Sequence, residues 1–183
     1  MGENKVYLAL DGLRRRMTEQ GLLHVQYPGG RTEFVAFKFF DPAPQAAIAR
    51  FFGEHQWAIP PEYEQFLELH NGAVLFTDPK GRGGGVEIFG IEQMKHIREA
   101  YDYMFTERRY PVAMLNTAMI LIDSEAYREG KPYLFWQDCI NSPEYAIDLK
   151  MDFATWLEYL IIAQGQEYWF WPTMIPQYDK GMQ

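Results

Sequence analysis

The glycine-rich segment at residues 81–85 is the first place where residue type and spacing could support chemistry. A run such as Gly81-Arg82-Gly83-Gly84-Gly85 could cradle a phosphate, because backbone N–H groups can approach an anion closely there. The run lacks the sixth-position glycine of a dinucleotide fingerprint and the Lys-Ser/Thr pair of a phosphate-binding loop. The composition therefore favours a mobile, hairpin-like loop over a phosphate site.

Histidines supply the next candidates, because clustered imidazoles bind transition metals. The chain has His24, His55, His70 and His96, and none of them shows the His-x-x-x-His spacing of a helical metal site. His70 lies at the end of a predicted helix and is expected to bind a local carbonyl group. The sequence thus predicts no metal site and no cofactor.

Nucleophilic side chains are scarce. The two serines, Ser124 and Ser142, do not lie in a Gly-x-Ser-x-Gly elbow, and Cys139 is expected to be a buried structural thiol. Glu64 and Glu68 are one helical turn apart, which is typical of a solvent-facing acidic surface rather than of an acid–base pair. None of these residues commits the chain to catalysis.

The elements that would position these groups are helices and short strands. Apolar periodicity predicts helices over 6–20, from Asp41-Pro42 to about Gly53, over 91–107 and from Asp152 to Gly165. Alternating or β-branched runs predict strands, and these fall at 22–27, 33–39, 73–76, 86–89, 112–115, 118–122, 133–136 and 144–148. Helices that flank one sheet make an α+β domain.

The bulk composition limits the classes of function. The chain has 183 residues, 48% of them hydrophobic, which suits one domain with a sizeable core. Its net charge of −8 argues against a nucleic-acid binder and, weakly, for a basic partner. The single cysteine excludes an internal disulfide, and no apolar run is long enough for a signal peptide or a membrane span. A cytoplasmic protein that binds neither nucleic acid nor membrane is predicted.

The segment 59–72 carries the strongest local signal, a short helix with both ends marked. Pro61 suits the first helical position, where a missing N–H has no consequence. The stripe Tyr63, Phe66, Leu67 and His70 follows the i, i+3, i+4, i+7 pattern of a buried helix face. Asn71-Gly72 then supplies a left-handed stop.

The same residues, in this order, resemble the SUKH superfamily, which includes yeast Smi/Knr-type cell-wall regulators and many bacterial immunity proteins. The residues that match the family pattern are Ile59-Pro60, Tyr63, Phe66-Leu67, Asn71-Gly72, Val86-Glu87-Ile88, Tyr110-Pro111, Asp123 and Phe153-x-x-Trp156-Leu157. The resemblance covers roughly residues 43–163. It departs at Asn116-Thr117, where the family often has a turn rich in glycine and aspartate.

The resemblance implies an α+β fold with a single mixed, mainly antiparallel sheet flanked by helices. It also implies an immunity protein, or antitoxin, that binds a cognate toxin domain and has no catalytic residues. A basic toxin, such as a nuclease, would fit the acidic balance of the chain. The residues expected to make the fold rather than to touch a partner are Pro60, Tyr63, Phe66, Leu67, Asn71 and Gly72.

Partner contact is expected in two loops, because loops held by a rigid sheet commonly carry recognition. One is the glycine-rich loop around Arg82, and the other is 123–129 with Asp123, Glu125 and Glu129. The whole chain, 1–183, is predicted to form one domain, with a helix and hairpin at 1–40 and an aromatic strap at 166–183. A homodimer, a regulatory scaffold module and a small-molecule-binding protein remain open alternatives.

Overall fold

A computed structural model describes residues 4–171 of the protein, and its framework is one antiparallel sheet. The strands are β1 (Leu22–Gln26), β2 (Thr32–Phe39), β3 (Ala73–Thr77), β4 (Val86–Ile88), β5 (Arg109–Leu115), β6 (Ala118–Asp123), β7 (Leu134–Asp138) and β8 (Ile147–Asp148). Each strand pairs with the next in sequence, and each of these pairings is antiparallel. The predicted α+β fold with a mainly antiparallel sheet is confirmed.

The helices lie against this meander. They are α1 (Lys5–Arg16), α2 (Gln45–Glu54), α3 (Pro61–Leu69), α4 (Ile91–Ala100), α5 (Ser124–Arg128) and α6 (Phe153–Ile162). Packing of α1, α3 and α6 against one another forms the helical layer of the main core, and α4 lies against β5. Among residues 4–171, no helix is both long and apolar enough to cross a membrane.

The centre of the sheet is buried on both faces. In β6, Ile120 and Ile122 contribute to the main core, whereas Met119 and Leu121 belong to a second, smaller core with Met104 and Phe105. Side chains of a strand alternate between its faces, so this division places the two cores on opposite sides of the sheet. The continuous apolar pattern of β6 follows from this double burial.

The predicted helix in the segment 59–72 is confirmed as α3. Pro61 is its first residue, and Tyr63, Phe66 and Leu67 have no exposed surface. The Tyr63 hydroxyl donates to the Phe89 carbonyl oxygen over 2.7 Å, and burial raises the Tyr63 pKa well above its ordinary value. Helix α3 is therefore fixed to the sheet by apolar contacts and by one buried hydrogen bond.

The residues that follow α3 hold the start of α4. Asn71 Oδ1 accepts a hydrogen bond from the Ile91 backbone N–H over 2.9 Å, so it caps α4 from a distant part of the chain. Gly90 makes this approach possible, because a Cβ atom at that position would lie only 2.2 Å from the Asn71 carbonyl oxygen. Gly72, with φ of 101°, turns the chain from α3 into β3.

Three predicted helix boundaries were wrong, and the strand expected over 144–148 is only Ile147–Asp148, after a 3₁₀ turn at Pro143–Tyr145. The helix expected from Asp41-Pro42 begins at Gln45, because Ala43 precedes Pro44 and is restricted to extended conformations; its N–H donates to the Leu67 carbonyl oxygen instead. The first helix ends at Arg16 rather than at residue 20. The helix expected over 91–107 stops at Ala100 and is followed by a short 3₁₀ turn.

The loop expected at 123–129 is instead the short helix α5. Asp123 is its N-cap and accepts a hydrogen bond from the Ala126 N–H over 3.1 Å. An aspartate followed by Ser-Glu-Ala suits a helix start, since the carboxylate pairs with an otherwise unsatisfied N–H group. This capping signal was overlooked because the helix is only five residues long.

Candidate partner-binding site

The two segments predicted to contact a partner lie at opposite ends of the sheet. The hairpin that carries Arg82 joins β3 to β4, next to the paired strand residues Leu75 and Val86. Asp123 pairs with Arg109, at the other end of the β5–β6 ladder. The structure therefore does not bring Arg82 together with the acidic residues of 123–129, and each end has to be considered separately.

At the α5 end, Asp123 is a buried structural residue. It is 2% exposed, and its Oδ2 atom lies 3.0 Å from Arg108 Nε and 3.2 Å from Arg109 Nε. Arg109 is itself buried; it donates to the Pro143 carbonyl oxygen and lies over the Phe135 ring. The Asp123 carboxylate is thus enclosed by arginines of its own chain. A partner at this end would contact Arg108 before it could reach Asp123.

The other two acidic residues of this end are exposed. The Glu125 side chain is 59% exposed and lies 3.6 Å from Arg108, and the Glu129 side chain is 57% exposed and lies 2.6 Å from Lys131. Together with Asp123 they line a cleft of about 330 Å³. Exposed ion pairs of this kind contribute little to stability, so both carboxylates are available to a charged partner.

At the other end of the sheet, Arg82 is held in place by its own hairpin. Its Nε and Nη2 atoms donate to Asp78 Oδ2 over 3.0 and 2.6 Å, while 74% of the side chain remains exposed. The hydrogen bond from Arg82 is the main reason that the pKa of Asp78 is lowered. The hairpin thus presents an oriented guanidinium group to solvent.

A cleft runs beside this hairpin, and we call it the hairpin cleft. Its outer part, of about 620 Å³, lies between Arg31, Glu33, Asp78 and Arg82. Its inner part, of about 270 Å³, is lined by groups that include Phe76, Leu115, Asn116, Gln164, Phe170 and Trp171. Tyr27, Pro28, Phe76, Gly85 and Gln166 line both parts, so they form one continuous depression.

Three of the five non-glycine residues with a left-handed backbone in the described part of the chain lie around the hairpin cleft; the other two are Gln56 and Lys150. Phe76, Asn116 and Gln164 have φ values of 58°, 51° and 57°; asparagine tolerates this region, whereas it costs Phe76 and Gln164 about 1–2 kcal/mol each. The position of Phe76 coincides with a register shift between β2 and β3. Because strained residues that persist in a fold cluster at functional sites, this end of the sheet is the better candidate site.

Two glycines allow the strained Phe76 to pack. A Cβ atom at Gly165 would lie 2.8 Å from Phe76 Cγ, and one at Gly85 would lie 2.4 Å from the Leu75 carbonyl oxygen. Both glycines also have left-handed φ values, of 82° and 92°. The wall of the cleft therefore depends on glycine at both positions.

Ser124 and Cys139, two of the nucleophiles in the sequence, are not activated in the structure. Ser124 is buried, and its hydroxyl accepts from the Ala58 N–H over 2.7 Å. Partial burial raises the pKa of the Cys139 thiol, which disfavours the reactive thiolate. Within residues 4–171, no three His, Cys, Asp or Glu side chains are placed to hold a metal ion.

His70 binds a local carbonyl group, as expected. Its Nδ1 atom lies 3.1 Å from the Phe40 carbonyl oxygen, and the Arg14 guanidinium group is hydrogen-bonded to Nε2. Arginine can only donate, so the ring is neutral with its proton on Nδ1. Burial, and secondarily the Arg14 charge, lower the His70 pKa.

Comparison with known proteins identifies the family. The model of the SMI1 / KNR4 family (SUKH-1) matches residues 42–159, which is more than half of the chain. The chain belongs to the SUKH-1 family. The helix α3, the Asn71-Gly72 turn and the strands from β3 to β8 all lie inside the matched region.

Two bacterial proteins are similar to this SUKH-1 chain over most of its length. It is 27% identical to the uncharacterized protein YobM of Bacillus subtilis (strain 168) over 176 residues, which cover 92% of both chains. It is 28% identical to the uncharacterized protein YnaB of the same organism, over 81% of this chain and 96% of YnaB. The similarity to YobM extends past both ends of the region that matches the family model.

Most residues of the hairpin cleft in this SUKH-1 chain were missed by sequence reasoning. Arg82 was predicted, but Tyr27, Phe76 and Gln166 come from segments far apart in sequence. The aromatic run 168–171 was the available signal: Tyr168 and Trp169 pack against the main core, and Phe170 meets the Trp136 ring edge-on. Residues 172–183 of the strap predicted at 166–183 lie outside the described residues.

Proposed function

We propose that this SUKH-1 protein is an immunity protein that binds a cognate toxin domain and neutralises it by forming a stoichiometric complex in the cytoplasm. The observation that carries the proposal is the match of residues 42–159 to the SMI1 / KNR4 (SUKH-1) family, in which toxin immunity is an expected role. The protein acts as a binding module, and inhibition follows from covering a surface that the toxin needs.

The chemistry of the candidate side chains supports binding rather than catalysis. A catalytic nucleophile needs a neighbouring base or a lowered pKa. The pKa of Cys139 is raised, and the Ser124 hydroxyl is buried and accepts a backbone N–H. Neither group is activated in the way that nucleophilic catalysis requires.

The charge of the chain supports a basic partner. A net charge of −8 produces a negative field that speeds the approach of a cationic protein, and fast capture matters for neutralising a toxin. The association rate should therefore fall as salt is added, because screening shortens the reach of the field. A nuclease toxin, which must itself bind a polyanion, has the required positive surface.

The test is co-expression with the C-terminal domain of a secreted protein encoded beside the gene for this protein, which the proposal expects to be the toxin domain. We expect the tagged protein to co-purify with that domain in a 1:1 complex, and cells that make both proteins to grow where the toxin domain alone arrests growth. Continued growth arrest, with both proteins soluble and no complex recovered, would contradict the proposal.

A small-molecule-binding role is the second candidate, because the inner part of the hairpin cleft is partly enclosed and lined by aromatic and amide side chains. Binding of a metabolite that is unaffected by the toxin domain, together with failure to protect cells, would favour this role. The regulatory scaffold role predicts several partners and no protection against a toxin.

A further inference from the structure

We propose that the hairpin cleft is the surface that holds the partner, and that its inner part receives one large aromatic side chain from a loop of the toxin domain. This inference rests on the proposed function, because it names the occupant as the toxin. It goes further by assigning the site, the anchoring group and the residues that bind it.

The residues at the mouth of the cleft are of the types that dominate binding energy in protein interfaces. Trp, Tyr and Arg are enriched among such hot spots, and the cleft contains Trp171, Tyr27 and Arg82. The Trp171 residue is 49% exposed, and the Arg82 side chain is 74% exposed although Asp78 fixes its orientation. Tyr27 is half-buried, with the Arg31 guanidinium group 4.8 Å from its ring centre.

The volume of the inner part suits one large side chain. At about 270 Å³ it lies near the lower limit of the roughly 300–1,000 Å³ of small-molecule and cofactor pockets. One aromatic side chain, anchored in a pocket and surrounded by a polar rim, is the usual arrangement at the centre of a protein interface. The outer part, at about 620 Å³, has room for the flanking residues of the same loop.

The cleft is also preorganised. Phe76 keeps its left-handed conformation because Gly85 and Gly165 let the chain pack tightly around it. Two side chains brace the neighbouring segment: Gln164 Oε1 accepts from the Gln26 N–H over 2.8 Å, and Glu167 Oε1 accepts from Trp136 Nε1 over 2.9 Å. A site that is rigid before binding loses less conformational entropy when the partner arrives.

The α5 end of the sheet has a cleft of about 330 Å³, but charged side chains line it and no Trp or Tyr does. Its buried carboxylate, Asp123, is bound by Arg108 and Arg109, and its exposed acids, Glu125 and Glu129, lie beside basic residues of the same surface. Its exposed acids are rim charges, which affect the association rate and its salt dependence more than the affinity. The hairpin cleft offers the exposed Trp171, the half-buried Tyr27 and a partly enclosed chamber, and we assign the partner to it for this reason.

The first part of the test needs no toxin. The full chain, labelled with ¹⁵N, is titrated with indole and with p-cresol, which stand for the side chains of Trp and Tyr. We expect amide shifts centred on Phe76, Gly85 and Gln166 in the wild type, and their loss in Tyr27→Ala. No shift up to the solubility of both compounds, or shifts centred elsewhere, would overturn the assignment of the chamber.

The second part measures the affinity of purified variants for the toxin domain. Tyr27→Ala and Trp171→Ala are compared with Tyr103→Ala, which removes a 77% exposed tyrosine elsewhere. Each cleft variant should bind about 30-fold more weakly or worse, as truncation of a hot spot does, and the control should bind within a few-fold of the wild type. Equal affinities of all variants would overturn the inference while leaving the proposed function in place.

The charged group has a closely matched control. Arg82 pairs with Asp78 at 2.6 Å and is 74% exposed, and Arg15 pairs with Asp11 at 2.7 Å and is 78% exposed, both across four residues. Arg82→Ala should weaken binding at least about tenfold more than Arg15→Ala, although each removes one positive charge and should slightly speed the approach of a basic toxin. Equal affinities of the two variants would overturn the role of Arg82.

Two further outcomes identify a different occupant. If the wild-type chain binds no toxin domain, the proposed function fails and so does the toxin as occupant, while the indole titration still decides whether the chamber takes an aromatic group. If the wild type is a dimer in sedimentation experiments and Tyr27→Ala is a monomer, the occupant is a second copy of the chain. That result would overturn the assignment to the toxin.

Discussion

Replacement of Gly90 by alanine tests why the Asn71-Gly72 turn matters. A Cβ atom at residue 90 would lie 2.2 Å from the Asn71 carbonyl oxygen and 2.6 Å from Asn71 Oδ1, whereas ordinary Cβ contacts begin at 3.4 Å. The two segments would have to separate by roughly an ångström, a strain of the kind that overpacking produces. That movement would break the 2.9 Å hydrogen bond through which Asn71 caps α4.

The expected cost combines two known effects. Overpacking of a tight contact costs about 1–3 kcal/mol, and loss of a helix cap costs about 1 kcal/mol. Gly90→Ala should therefore lower the free energy of unfolding by about 2–4 kcal/mol, a large part of the roughly 5–15 kcal/mol of a typical domain. The φ of Gly90 is −87°, so the cost arises from the close approach and not from a left-handed backbone.

Gly12 provides the matched control. It lies inside α1, and a Cβ atom there would have no neighbour within 4 Å. Gly12→Ala should raise the free energy of unfolding by about 0.5–1 kcal/mol, because alanine is the better helix former. Urea denaturation followed by tryptophan fluorescence and circular dichroism measures both variants. A Gly90→Ala variant within about 0.5 kcal/mol of the wild type, at an unchanged denaturant slope, would refute the reasoning.

Three further predictions concern buried polar groups. The folded-state pKa of His70 is lowered. The free energy of unfolding should therefore be highest above about pH 6.5 and should fall as the pH drops below that value. In denaturation curves recorded at different pH, the free energy of unfolding of His70→Gln should depend less on pH. Asp123→Ala leaves the buried Arg109 unpaired and should lower the free energy of unfolding by about 3 kcal/mol or more. Glu129→Ala breaks an exposed pair and should lower it by less than about 1 kcal/mol. Equal losses of stability in a thermal melt would contradict the buried pairing. Tyr63→Phe removes the hydrogen bond to a buried carbonyl oxygen and should cost about 1–3 kcal/mol by the same assay, without changing affinity for a partner.

Helices and strands were predicted well where their formation depends only on residues close together in sequence. The apolar stripe of α3 and its proline start are readable because each depends on residues within one or two helical turns. The helix ends at the extended His70, before the stop predicted at Asn71-Gly72. The β1–β2 hairpin and the strands of the meander were found for the same reason, since alternation and turn residues are local signals. Asn116 occupies the β5–β6 turn with φ of 51°, so asparagine there fills the role that glycine often has.

The errors and omissions come from contacts between distant segments. The helix does not start at Asp41-Pro42 as expected, because the Ala43 N–H donates to the Leu67 carbonyl oxygen of α3 instead. The buried state of Asp123 depends on Arg108 and Arg109, which no spacing rule connects to it.

The hairpin cleft could not be predicted from the sequence, again because it is formed by contacts between distant segments. Tyr27, Phe76 and Gln166 meet there only once the sheet has formed. Sequence composition had marked the glycine-rich hairpin and the aromatic run before Pro172, but not that both line the same cleft.

Titration of toxin activity with the purified protein tests the central claim most directly. The toxin domain is held at a concentration far above the expected dissociation constant, and its activity is measured as increasing amounts of wild type or Tyr27→Ala are added. Stoichiometric neutralisation through the hairpin cleft predicts a linear fall to zero at one equivalent of wild type, and clear residual activity at one equivalent of Tyr27→Ala. Full toxin activity in the presence of excess wild-type protein would contradict the account.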